Sequence, residues 1–291
     1  MNYSERLSPG EHFAQIRGIE LWYYVQGSGP VLLIQPGGAG WGGDATPYID
    51  TLKPFEKIRT VVYLEPRGIG RSHRLNDAHA YSMEEYVKDI ESLRKFFGIP
   101  LIAIAAHSHG GFVALNYALQ YSKKVERLLL IDTTPHISLG DYHSWLKGRK
   151  GYKEASSALN KLQKITSLSE DEKERRILKI LLPVIHFYDF EEVSPQVDDY
   201  LANMIVSARP HRYFNYHEAS TYDLRKSIHR INVPTLIING DDDMPHIVLG
   251  SKLLHDQIST ASHIVIENCG HWPMIEAPNA FFEATIPFLS E

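Results

Sequence analysis

The amino-acid sequence predicts an α/β fold: a mostly parallel central sheet with flanking helices, interrupted by one helical insertion. Three observations lead there. Strand-length apolar runs alternate with segments of helical period as far as "LLLIDTTP", the βαβ alternation that builds parallel sheets. These runs are apolar almost throughout, as strands covered on both faces must be. The alternation then lapses, and it resumes only at "PTLIING".

Taken in order, "LWYYVQG", "PVLLIQP", "TVVYLEP", "LIAIAAH" and "VERLLLID" read as strands, joined much later by "PTLIING" and "SHIVIEN". Between and after them, helical periodicity covers 81–97, 110–120, 248–257 and 277–288. Ser82 and Glu85 have the spacing of a capping box at the start of the first. The insertion, 136–229, is rich in charge and tyrosine and carries helical patterns near 142–166, 171–185 and 196–206. Ser169 and Glu172 repeat the capping spacing there. The expected organisation is a core of 1–135 and 230–291 with a helical lid over 136–229. An insertion between two strands of one sheet usually sits over the strand ends, where ligands bind.

Composition narrows the function. With 291 residues, 43% hydrophobic and 22% charged, the chain can bury a large core. A formal net charge of −5 argues against nucleic acid or an anionic membrane as partner, since either favours a basic surface. The single Cys269 excludes an internal disulfide, no apolar run reaches the length of a membrane span, and "MNYSERLSPGEHFAQ" lacks the basic-then-apolar pattern of a signal peptide. The expected location is the cytoplasm, and the expected partner a small molecule or short peptide.

The segment "IAIAAHSHGGFVAL" runs from a strand through small residues into a helix. A serine on so tight a strand-to-helix turn is backbone-strained, and the side chains two positions to either side must be small; Ala106 and Gly110 are. The bland reading is a helix-capping serine beside two incidental histidines. A serine hydroxyl needs a base, and the base needs an acid to orient it. "GDDDMP" supplies acids directly after one late strand, and "NCGHWPMIEAP" supplies His271 after the next, in the order such a turn requires. Agreement in order, strand position and turn context makes Ser108 and His271 the expected nucleophile and base.

These segments, with "PGGAG" and "EPRGIGRS", resemble the α/β-hydrolase superfamily over nearly the whole chain outside the insertion, and most closely the proline iminopeptidases and their relatives. That subgroup shows His-Gly-Gly-Pro-Gly after an early strand, Asp-Gln-Arg-Gly-x-Gly-x-Ser after the next and Gly-x-x-Asp-Met near the acid. The counterparts here are Pro36-Gly37-Gly38-Ala39-Gly40, Glu65-Pro66-Arg67-Gly68-Ile69-Gly70-Arg71-Ser72 and Gly240-Asp241-Asp242-Asp243-Met244. The resemblance implies an α/β-hydrolase fold, a serine hydrolase working through an acyl-enzyme, first of all a proline iminopeptidase-like aminopeptidase on small peptides or amides and alternatively an ester or lactone hydrolase, with Asp243 as catalytic acid and the Gly38 N–H as one oxyanion donor. The other donor is the His109 N–H, at the start of the helix after the nucleophile. Departures stand at Pro36, Ala39, Glu65-Pro66 and His109. No cofactor and no metal is expected.

Other classes compete. Gly38-x-Gly40-x-x-Gly43 after a strand, with Glu65 ending the next, fits a dinucleotide fingerprint, but leaves Ser108, Asp243 and His271 unexplained. His107-x-His109 has the look of a metal-ligand pair without the residues that would complete a site. A silent binding protein is open to any fold. Cys269 is expected to be packed, and Asp241 and Asp242 to be solvated. For substrate, an iminopeptidase must hold a free ammonium on carboxylates. The insertion offers Asp189, Glu191, Glu192, Asp198, Asp199 and Glu218, with Phe187, Tyr188 and Phe190 to pack on a proline ring; Glu192 and Glu218 are the choices. Without such an anchor the same residues serve an ester or lactone.

Overall fold

The computed structural model describes residues 3–40, 44–138 and 140–291. Eight strands form one sheet: β1 (Gly10–Ile16), β2 (Ile19–Gly27), β3 (Val31–Gln35), β4 (Thr60–Leu64), β5 (Ile102–His107), β6 (Val125–Ile131), β7 (Thr235–Gly240) and β8 (Ala261–Ile266). Their order across the sheet is β1-β2-β4-β3-β5-β6-β7-β8. The β1–β2 and β2–β4 pairs are antiparallel and all others parallel. Strand β1 was not legible as a strand: "GEHFAQI" is an edge strand whose alternate residues are exposed, so it carries no continuous apolar run.

Strands β3, β4, β5 and β7 are buried along their whole length, as is β6 but for Glu126, and their period of two divides the core. Leu33, Val62, Ile104 and Leu130 face one way, packing with helices Met83–Phe97 and His109–Gln120. Leu32, Val61, Ala105 and Leu129 face the other, packing with Phe55, Phe281 and Leu289. Leu178, Leu182, Val197 and Leu201 of the inserted helices belong to this second cluster, so the insertion is bound into the core of the sheet.

Between β6 and β7 lie helices Tyr142–Gly148, Tyr152–Gln163, Glu170–Ile185, Phe190–Asn203 and Ala208–Tyr213. The helical pattern at 142–166 is split: one helix ends at Gly148 with extended Arg149 after it, and Gly151, with φ of 81°, stands at the start of the next. Ser169 caps its helix through the Glu172 N–H at 3.2 Å, as its spacing predicts. Ser82 does not cap with its side chain. The Met83 N–H instead donates to Glu218 of the insertion at 2.9 Å, and Glu85 pairs with Arg17, Arg67 and Lys88. No helix among the described residues is long and apolar enough to cross a membrane.

The strand order reverses at β3, whose two neighbours, β4 and β5, lie on opposite sides of it. That switch point is where open α/β sheets leave a crevice beyond the carboxyl ends of their strands. The loop after β3 and the turn after β5 meet there.

Candidate active site

Ser108 follows β5 directly, with φ 52° and ψ −122°, a conformation that L-residues adopt only under constraint. The constraint is visible. The Ser108 N–H donates to the Ile131 carbonyl at 2.9 Å, and the Ser108 carbonyl accepts from the Gly111 N–H and from Thr133 Oγ1. A methyl group at Gly110 would collide with the Gln35 and Pro36 carbonyl oxygens, and one at Gly111 with Thr133. Both glycines of "HSHGG" are therefore required by close packing.

A cavity of about 340 Å³ opens at this turn, lined by Ser108, His109, Gly37, Gly38, His271 and residues of the insertion such as Ile185 and Phe214. Gly37 packs so closely that a Cβ on it would lie 3.0 Å from Ser108 Cβ. Gly38 (φ 77°) and Ala39 (φ 45°) turn the loop beside Ser108. His271 is buried, and its Nδ1 lies 2.7 Å from Asp243 Oδ2, while Asp243 Oδ1 accepts from the Met244 N–H at 2.6 Å. Burial holds His271 neutral, its pKa lowered to about 3, and lifts Asp243 to about 7. Ser108 and His271 face the same cavity, but no hydrogen bond joins them among the described residues; in a free enzyme this contact often closes only on substrate.

The neighbouring acids have other partners. Asp241 accepts from the Cys269 N–H, and Asp242 is ion-paired with Arg149. Cys269 is fully buried with its thiol pKa raised by desolvation. Glu65 is buried, accepts from the Ala45 and Arg71 N–H groups and pairs with the Arg71 guanidinium, which occupies the carboxylate a ribose would need. Gly43 of the glycine pattern lies outside the described residues.

Glu192 and Glu218 are not brought to the cavity. Glu192 is exposed in the first turn of helix Phe190–Asn203, where a carboxylate suits the helix dipole, and Glu218 serves the start of helix Met83–Phe97. Asp189, Glu191, Asp198 and Asp199 are exposed as well. Phe187 is packed into the core, and Tyr188 faces solvent. Among the described residues, no aspartate, glutamate, lysine or arginine lines the cavity. Its histidines His107, His109, His186 and His246 have pKa values lowered by desolvation.

Several residues of the site escaped sequence reasoning. The Gly37 N–H donates to Tyr48 Oη at 2.9 Å, and Tyr48 Oη lies 2.8 Å from His107 Nδ1. His107 Nε2 is 2.8 Å from the His271 carbonyl, which fixes the tautomer: Nε2 carries the proton and Nδ1 accepts from tyrosine. One chain of hydrogen bonds thus joins the Gly37–Gly38 loop to the His271 loop. Glu276 accepts from the Gly270 and Tyr188 N–H groups, and the His271 N–H donates to the His186 carbonyl at 2.7 Å. Only "AAHSHGG" itself carried a signal toward any of these, as the histidine before Ser108.

The family model described as alpha/beta hydrolase fold matches residues 30–278. A proline iminopeptidase of Pestalotiopsis fici is 26% identical over 270 residues, covering 91% of this chain and 94% of that protein. The 2-hydroxy-6-oxo-6-(2'-aminophenyl)hexa-2,4-dienoic acid hydrolase of Metapseudomonas resinovorans is 25% identical over 282 residues, covering 96% and 91%. Among solved structures, the enol-lactonase of Burkholderia xenovorans superposes with a TM-score of 0.74 at 20% identity, covering 96% of this chain and all of that one, 100%.

Proposed function

The chain belongs to the alpha/beta hydrolase fold family and is a hydrolase, and from that premise we propose that it is a serine hydrolase of small, uncharged carboxylic esters or lactones. Ser108 Oγ attacks the acyl carbonyl as His271 Nε2 takes its proton, and Asp243 holds His271 through Nδ1. The Gly38 and His109 N–H groups receive the oxyanion as it forms. His271 then returns its proton to the leaving oxygen, and a water attacks the acyl-enzyme by the same route. The observation that carries this reading is the single cavity shared by the strained Ser108 and by His271, itself bonded to Asp243 at 2.7 Å.

The substrate class follows from what lines that cavity. A buried ammonium without a carboxylate costs several kcal/mol. With His107, His109 and His186 held neutral by desolvation and apolar side chains around Ser108, an uncharged acyl group fits better than a free α-amine. The second reading, a proline iminopeptidase, has the support of relatives such as the Pestalotiopsis enzyme. A turnover panel separates them: short esters and lactones against prolyl arylamide, free and N-acetylated. Turnover of esters or lactones, with free and acetylated prolyl substrates alike poor, supports the first reading. A preference for free prolyl arylamide of tenfold or more, the order of one charge-assisted contact, replaces it with the second. Full turnover by Ser108→Ala would refute both.

A further inference from the structure

Two carboxylates stand behind His271, and the catalytic reading uses one. Asp132 follows β6 as Asp243 follows β7, and both are buried, at 0% and 2% exposure. Asp132 Oδ1 accepts from the Gly240 N–H at 3.0 Å, but Oδ2 has no donor. Asp132, Asp243 and His271 bring one ligand-type atom each within 4.8 Å of one another. The Asp132 backbone is held at φ 44°, a strained conformation for a non-glycine residue.

The groups facing this pair are His246 from helix Pro245–Gln257, His107 from β5, Cys269 and His271 from the loop after β8, and Glu276 beyond it. Neither aspartate forms an ion pair with lysine or arginine among the described residues. Two adjacent ionised carboxylates in a dry site without a cation are costly, and a shared proton is the usual relief. Asp132 Oδ2 is the oxygen without a donor, and Asp243 already accepts two.

We propose, resting on the reading of Ser108, His271 and Asp243 above, that Asp132 is a positioning residue. It keeps a proton on its carboxyl group and donates it to Asp243, and it takes Asp243's place beside His271 when Asp243 is lost. The direction of the pKa shifts agrees: desolvation raises both, and Asp132 is pushed well above the carboxylate range. A protonated Asp132 leaves one negative charge beside His271, enough to stabilise the imidazolium.

The test uses the intact enzyme and two readouts. In the infrared difference spectrum between wild type and Asp132→Asn at neutral pH, a protonated-carboxyl C=O band that shifts in D2O is expected. Its absence overturns the proposal whatever the kinetics show, and if EDTA also abolishes activity, a bound cation neutralises the pair instead. Asparagine tolerates positive φ and can donate from its amide, so Asp132→Asn should retain most of the kcat that Asp132→Ala loses, about tenfold to a hundredfold for one charge-assisted bond. The ionisation that Asp132 contributes to the kcat profile of the wild type should vanish in Asp132→Asn. Asp243→Asn should keep at least about tenfold more kcat than Asp132→Asn/Asp243→Asn, by the same magnitude. Equal loss in the single and double variants overturns the replacement role. Retained activity in Ser108→Ala or His271→Ala refutes the catalytic reading separately, and the infrared band still decides the shared proton.

Discussion

Replacing Tyr48 by phenylalanine removes one oxygen and leaves the packing of the ring. Tyr48 is buried at 1% exposure, with its ring 5.8 Å from His107 and 5.6 Å from Trp272, contacts that phenylalanine keeps. The hydroxyl accepts from the Gly37 N–H and donates to His107 Nδ1. Its loss strands a buried donor and a buried acceptor, each costing about 1–3 kcal/mol, so the expected destabilisation is about 2–6 kcal/mol. Urea unfolding should show this as a lowered midpoint with the slope m unchanged. Activity should fall as well, because Gly37 fixes the turn that presents the Gly38 N–H. Complete loss of one oxyanion donor costs about 10²–10³ in kcat, and a loop loosened rather than removed should cost about tenfold, with KM little changed. A Tyr48→Phe enzyme within about 0.5 kcal/mol of wild type and with full kcat would show that the chain from Gly37 to His271 carries neither stability nor alignment.

The remaining expectations concern the elbow, the acids and pH. Gly110→Ala should destabilise by about 3 kcal/mol or fail to fold, since the new methyl group meets backbone oxygens that cannot move aside; a normal unfolding midpoint would contradict this. Asp241→Asn and Asp242→Asn should lower kcat at least about tenfold less than Asp243→Asn, because their partners are Cys269 and Arg149; a severe loss in Asp242→Asn would move the acid by one residue. Glu192→Gln should leave turnover unaltered, whereas Glu218→Gln should cost about 1 kcal/mol through the start of helix Met83–Phe97, read by thermal unfolding. Burial lowers the folded pKa of His107, His109 and His271 to about 3, so between the ordinary imidazole range and pH 3 the unfolded chain binds more protons. Their contribution is present above that window and is lost as pH falls through it. Glu65, Asp243 and Glu276, raised to about 7, act oppositely: their contribution is present at acid pH and is lost as pH rises toward 7. Glu91, lowered to about 2 by Arg94, acts in the same direction as the histidines below the ordinary carboxylate range. Removing one imidazole by His109→Phe should therefore make the pH dependence of stability shallower by about one proton, up to ~1.4 kcal/mol per pH unit, between the ordinary imidazole range and pH 3. An unchanged slope would mean that His109 titrates normally.

What the sequence revealed and what it hid divide along contact distance. Strands β3, β4, β5 and β7 announce themselves because burial on both faces writes a local apolar run, and β1 stayed silent because its exposed Glu11 and Gln15 interrupt any such run. The strained turn at Ser108 was legible because such a turn demands small neighbours two residues away. That Asp243 and His271 meet was foreshadowed by acids and a histidine placed after successive late strands. The capping spacing at Ser82 located a helix start correctly, yet the group that serves it is Glu218, 135 residues along the chain. The same residue looked like a substrate anchor from sequence, since nothing local distinguishes a carboxylate that caps a helix from one that faces a cavity. Asp132 and Tyr48 escaped for that reason: their partners Gly240 and His107 are 108 and 59 residues distant.

The two histidines around Ser108 show how one short motif can combine unrelated demands. His107 ends β5 with its ring against Tyr48 and Trp272 and its Nε2 proton on the His271 carbonyl, so it ties the Ser108 turn to the His271 loop. His109 begins the following helix with its ring among Tyr86, Phe112 and Phe214, and desolvation keeps it neutral. Its side chain packs as an aromatic would, while its main-chain N–H is the oxyanion donor of the proposed mechanism. An imidazole at 107 is needed for two directed hydrogen bonds on opposite nitrogens, which no apolar ring supplies. At 109 only shape is needed. Substitution by phenylalanine should therefore be tolerated at 109 far better than at 107, where kcat should fall with the Gly37-to-His271 chain.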